Sequence, residues 1–264
     1  MAAETAGGAL GFRPHAQRAA VLGEVHARPF QLIEPPRLLL HLAFATDAEE
    51  AAADRRAFAS LCLSLGVAGP SAETKHQRVP VLGGQLSWEQ HSEFTTYTFE
   101  ILHAGPGLPA HPFGLGFRQP GPLIAAVRLE LAAAPTALED GLAGLDPVSL
   151  CVSRVVDGTA IAATDFRQDA DGLTVIRVFA IDLTPARAGA LVQRLLEIET
   201  YRTFALLGLP VAYRLAPAVR RIEQGLTATS EAMRESRGLD DDRRLLDELT
   251  TLAAQLEADA DASS

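Results

Sequence analysis

The chain has 264 residues, of which 48% are hydrophobic and 21% charged, the balance of a folded globular protein and not of a disordered one. Its net charge of −10, with Lys75 as the only lysine and no basic cluster interleaved with aromatics, argues against a nucleic-acid binder. The length allows one large domain or two small ones.

Cys62 and Cys151 each sit in an apolar stretch, so both are expected as buried free thiols. With no disulfide framework, a reducing compartment is expected. Residues 1–18 lack the apolar core of a secretory signal. The apolar stretch 203–213 is about half of the roughly 20 residues a membrane span needs, so the chain as given is expected to be soluble.

In chain order, "RPFQLIEPP" (28–36) must be extended around its prolines. "RLLLHLAFAT" (37–46) is a short, nearly continuous apolar run, as in a buried strand. Asp47 then caps a helix with Glu49 and Glu50 in its first turn and Gly66 at its end. "HQRVPVL", "GQLSWEQH" and "EFTTYTFEIL" read as strands. Ten of the eighteen residues in 105–122 are Gly or Pro, which makes this segment a loop.

A second round follows. "LIAAVRLELAA" (123–133) is a strand, "PTALEDGLAG" a short helical or turn segment, and "SLCVSRVV" and "TAIAATDF" are strands around a hairpin turn at Asp157-Gly158. "LTVIRVFAIDL" (173–183) is the last strand. Strand–helix–strands thus occurs twice, which raises an internal duplication, although no residue-level repeat is visible. Thr184-Pro185 starts a helix, Pro210 should kink it, Pro217 is a candidate start for another, and Gly238 breaks the next. Leu245, Leu249, Leu252 and Leu256 then follow a four–three–four spacing of coiled-coil type. The fold expected is α+β: a mixed or antiparallel sheet domain over 1–183, its halves joined by the 105–122 loop, followed by a helical arm over 184–264.

Four blocks, "EVHARPF" (24–30), "WEQHSEFTTYTF" (88–99), "TDFRQDADG" (164–172) and "VQRLLEIETYR" (192–202), together resemble a bacterial family of predicted membrane-anchored proteins, domain-of-unknown-function family 3422. The resemblance covers nearly the whole chain. It implies a cytoplasmic α/β domain on a helical stalk at the inner membrane, anchored by a hydrophobic segment that family members carry beyond this C-terminus. It implies no assigned reaction. Family members often carry a histidine where this chain has Asp169, which puts a metal site at that position in doubt.

The candidate chemistry is sparse. Glu89, His91 and Glu93 alternate along one strand face, as metal ligands, acid/base residues or simply a solvated face would. On an unbroken strand Leu86 and Trp88 would oppose Tyr97, Phe99 and Ile101, so a turn or bulge is expected between them. His26 and Arg28 suit either a strap tied to the body or an anion or partner contact. Asp165, Arg167, Asp169 and Asp171-Gly172 fail calcium-loop spacing and read as a hairpin turn, with Asp165 and Arg167 kept as ligand-binding candidates. Arg194, Glu197, Glu199 and Arg202 fit structural ion pairs. The nucleophile elbow, phosphate loop, HExxH and CxxC are absent, and no cofactor is indicated. The leading expectation is a non-enzymatic regulatory or scaffold domain of a membrane-associated homo-oligomer formed through the helical arm. The alternative is a metal-dependent or ligand-binding enzyme using His26, Glu89, His91 and Glu93.

Overall fold

The computed structural model describes residues 30–81, 83–101 and 117–261. His26, Arg28 and most of the 105–122 loop lie outside the described residues. The described residues fold into eight strands and five helices, and the expected α+β class with a mixed sheet is what the chain adopts. The strands are β1 (Arg37–Ala45), β2 (His76–Val81), β3 (Gly84–Gln90), β4 (Phe94–Ile101), β5 (Leu123–Ala133), β6 (Cys151–Val155), β7 (Ala160–Gln168) and β8 (Thr174–Ala180). The helices are α1 (Ala48–Ser64), α2 (Leu138–Leu142), α3 (Pro185–Leu206), α4 (Leu209–Glu235) and α5 (Leu239–Asp261). The chain divides into two compact units, 1–201 and 202–264, so α3 begins in the first and ends in the second.

Local signals explain most boundaries. Asp47 accepts hydrogen bonds from the Glu49 and Glu50 N–H groups, and Glu50 reaches back to the Asp47 N–H, a complete capping box. Gly66 ends that region at φ +72°, where a Cβ would be strained. The Asp157-Gly158 hairpin forms as expected. The chain from β7 to β8 turns over Asp169, whose side chain accepts from the Asp171 and Leu173 N–H groups. Pro210 lies in the first turn of α4, just past the helix break at Leu207 and Gly208. Pro217 lies inside α4 and opens no new helix, a correction to the sequence reading.

The sheet order is β2-β3-β4-β1-β5-β8-β7-β6, a palindrome of the two strand–helix–strand units. The polarities differ, however: β1 is antiparallel to β4, whereas β5 runs parallel to β8. The two halves share an order but not a direction, and a simple duplication does not describe them.

Alternation then distributes side chains between two sheet faces. On one face α1 covers β1–β4 with Phe44, Phe58, Trp88, Tyr97 and Phe99, while α2 packs near Ile161, Ala163 and Phe179. On the other, Ala188, Leu191, Val192 and Leu196 of α3 pack against Leu39, Val127, Leu129, Ile176 and Val178. Between the α1 and α2 patches a row of charges replaces apolar packing. Arg177 pairs with Glu130, and Arg128 reaches Asp169 at 2.6 Å. Cys62 is buried, but Cys151 is exposed, because it opens the edge strand β6, where Cys151–Arg154 are exposed.

Candidate functional site: a cleft between the sheet and α3

The α3 side of the first half-sheet is not filled. A cleft of about 80 Å³ lies between β1–β4 and α3, room for several waters or part of a small ligand. Its floor comes from alternate strand residues: His41 of β1, Ser87 and Glu89 of β3, and Phe94, Thr96, Thr98 and Glu100 of β4. Its roof is α3, where the apolar Val192 and Leu196 stand beside Gln193, Glu197, Thr200 and Tyr201 at three- and four-residue spacing. The extended segment Phe30–Ile33 also lines the cleft.

That segment is a strap held at three points. The Ile33 N–H donates to the Pro185 carbonyl at 3.1 Å. Arg78 Nη1 donates to Gln31 Oε1 at 2.7 Å. At Gly189 the strap backbone lies so close to α3 that an added Cβ would collide with the Gln31 carbonyl oxygen. Arg78 also pairs with Glu100, which Arg37 Nε meets from the other side at 3.2 Å.

The expected face change in residues 88–100 is resolved by a turn. Residues 91–93 join β3 to β4, the His91 N–H donates to the Phe94 carbonyl, and Trp88 lies opposite Tyr97 on the α1 face. The turn splits the Glu–His–Glu alternation. Glu89 and His91 line the cleft, whereas Glu93 is exposed in the turn and accepts from Ser92 Oγ at 2.6 Å. Strand pairing brings in His76, opposite Glu89 on β2. Glu89 then lies between two imidazoles: His76 Nε2 and His91 Nε2 are each 3.9 Å from one of its carboxylate oxygens. His91 stacks on Phe94 with centroids 4.0 Å apart, and Tyr201 meets Phe94 edge-on.

His41 is a buried polar group of the floor. Its Nδ1 lies 2.8 Å from Thr98 Oγ1 and its Nε2 3.0 Å from Thr200 Oγ1, so it ties sheet to helix. Burial disfavours its charged form and pushes its pKa down to about 4. It is therefore a neutral hydrogen-bonding pillar at neutral pH.

Asp165 and Arg167 belong elsewhere. Asp165 Oδ2 accepts from the Asp146 N–H and Oδ1 from the Arg167 N–H, and Arg167 pairs with Asp146 at 2.8 Å. Burial opposes ionisation of Asp165, but these N–H groups and the Arg167 charge outweigh it and hold the carboxyl below its ordinary value. The pair pins the β7 irregularity, where Phe166 has φ +58°, to the loop after α2. The structure does not place Asp165 or Arg167 among the cleft residues. Among the described residues, no group of three His, Cys, Asp or Glu is arranged to hold a metal ion.

The sequence reading missed His41, His76, Gln193 and Thr200. His41 had a visible signal, as the one polar residue after Arg37 in "RLLLHLAFA". Gln193 and Thr200 stand on the apolar-rich α3, where a polar row toward a cleft looks like an ordinary amphipathic edge.

A family model described as protein of unknown function (DUF3422) matches residues 13–264. The chain belongs to this family. Neither the curated proteins nor the solved structures contain a match to it. This DUF3422 chain also has no helix among its described residues long and apolar enough to cross a membrane.

Proposed function

We propose that this DUF3422 chain is a non-enzymatic regulatory domain that binds a small polar ligand in the cleft beneath α3. The observation that carries the reading is the cleft itself. Beside Leu39 and Phe94, this sheet face presents hydroxyls, imidazoles and the carboxylates of Glu89 and Glu100 to a hollow roofed by one helix. Such concave sites with a few convergent polar groups are where ligands bind. Because α3 runs from the sheet unit into the second unit, a ligand contacting Gln193, Glu197 or Thr200 acts on a helix that both units share. Association into an oligomer through the helical arm, at a membrane as the family resemblance implies, completes this reading.

The test is a melting-temperature screen of the purified chain against amino acids, nucleotides, organic acids, amines and divalent cations. At a hundredfold excess over Kd a ligand adds about 2.7 kcal/mol, a rise of roughly 5–10 °C for a chain of this size. The rise should vanish in Glu89→Gln with Gln193→Ala. A flat response across all classes would remove the ligand-binding reading, and turnover of any hit would convert it to an enzymatic one.

A further inference from the structure

Its histidines apart, the charged groups that line the cleft are of one sign. Glu89, Glu100 and Glu197 face it, and no Lys or Arg stands among its described lining residues. The three carboxylates are answered differently. Glu100 meets Arg37 and Arg78, which lie outside the lining. Glu89 lies between the imidazoles of His76 and His91, 3.9 Å from each. Glu197 accepts from Gln193 Nε2 at 2.8 Å, a neutral donor, and among the described residues no ion pair reaches it. At a pH above the ordinary histidine range, Glu197 is thus a carboxylate in the cleft that no cation answers.

Helical spacing sets what stands around it. Gln193, Glu197 and Tyr201 follow one another at four-residue intervals, so Tyr201 lies one turn beyond Glu197 on the same stripe of α3. The Tyr201 ring meets Phe94 edge-on with centroids 5.5 Å apart, and Phe94 in turn stacks on His91. Val192 and Leu196, each one residue earlier along the helix than Gln193 and Glu197, are buried against Leu39 of the floor. Glu197 itself is half-buried. The carboxylate therefore stands toward the mouth of the cleft, with aromatic rings beside it and aliphatic surface further in.

These features select among ligands. A carboxylate or phosphate would set a second negative charge near Glu197, with no lining Lys or Arg to offset it. A metal ion needs several converging ligands, and among the described residues no group of three His, Cys, Asp or Glu supplies them. An ammonium on a hydrocarbon body fits each part. It donates charge-assisted hydrogen bonds to Glu197, lies near the aromatic rings, and its hydrocarbon covers Val192 and Leu196. We propose that the ligand of the function proposed above is a small primary amine, its ammonium on Glu197 and its hydrocarbon part against Val192 and Leu196, a narrowing that rests on that ligand-binding reading.

Three probes with one carbon skeleton test the charge directly: butylammonium, butan-1-ol and butyrate. Each is titrated at pH 8 into the isotopically labelled full chain, with nuclear magnetic resonance of the Gln193 side-chain amide as readout. Butylammonium is expected to bind about tenfold more tightly than butan-1-ol, and butyrate more weakly than either. Glu197→Gln should bring butylammonium level with butan-1-ol. Glu93→Gln, which removes the same charge from the exposed turn outside the cleft, should leave its affinity unchanged. Butan-1-ol or butyrate binding as tightly as butylammonium overturns the amine class and leaves the ligand-binding reading standing. Butylammonium affinity that survives Glu197→Gln, or that falls equally in Glu93→Gln, overturns it in the same way. No response to any of the three probes overturns the amine class, and only a flat response in the wider melting-temperature screen removes the ligand-binding reading as well.

Discussion

Strands β1–β4 present two faces that could hardly be less alike, although neighbouring residues build them. On the α1 face Phe58 stacks on Trp88 at 5.1 Å, with Phe44, Tyr97 and Phe99 around them. The one buried carboxylate there, Asp54, accepts from Trp88 Nε1 at 2.7 Å and from Tyr97 Oη at 2.6 Å. Burial raises the Asp54 pKa, and these two hydrogen bonds partly offset the rise. On the α3 face the alternate residues Ser87, Glu89, Thr96, Thr98 and His41 leave a hollow. The lesson is that burial alone does not mark a site. Both faces bury polar groups, and on the α3 face they border a hollow.

The comparison can be broken most sharply at Trp88. Trp88→Ala removes the largest fully buried side chain of the sealed face, and urea denaturation should show a loss of about 4 kcal/mol. A loss below about 1 kcal/mol would mean that the α1 face is not the stabilising one.

The next effect belongs to pH and to the hollow face. His41 binds a proton near its ordinary value of 6.5 in the unfolded chain but only near pH 4 when folded. Its contribution is therefore complete above pH 6.5 and is lost progressively as pH falls toward 4, by about 3 kcal/mol in all. His41→Gln should flatten the stability profile between pH 6.5 and 4.5 relative to wild type. Parallel profiles for the two proteins would refute the pillar role.

Asp54→Asn comes third. An amide leaves one of the Trp88 or Tyr97 donors poorly met, at about 2 kcal/mol, and the loss should shrink in a Trp88→Phe background. Smallest are Ser87→Ala and Thr96→Val on the cleft floor. Each should change stability by less than about 1 kcal/mol, while reducing the melting shift given by any ligand found in the screen.

Much of this architecture was legible in the residues. The capped helix after Asp47, the hairpin at Asp157-Gly158, the loop at Asp171-Gly172 and the change of face in 88–100 all follow from local chemistry, and all appear in the fold. The cleft was half legible. Glu89 and His91 could be found by alternation, whereas Glu93 falls in the turn outside the cleft, because period-two spacing says nothing about where a strand ends. His76 entered through strand pairing, and Gln193 and Thr200 through helix packing across long sequence separations. No local pattern encodes either. Asp165 looked like a ligand because acidic residues cluster near it, yet its oxygens are spent on backbone N–H groups.

The contact of the strap with Gly189 carries one more consequence. Backbone meets backbone there, so the spacing between strap and helix at that end of the cleft is set by the absence of a single methyl group. Gly189→Ala would act as a wedge driven under the strap. The variant is expected to loosen the Ile33–Pro185 and Arg78–Gln31 ties together and to raise amide exchange at Ile33, while the Phe58–Trp88 stack on the far side of the sheet keeps its fluorescence. It would offer an opened cleft without any change to the groups that line its floor.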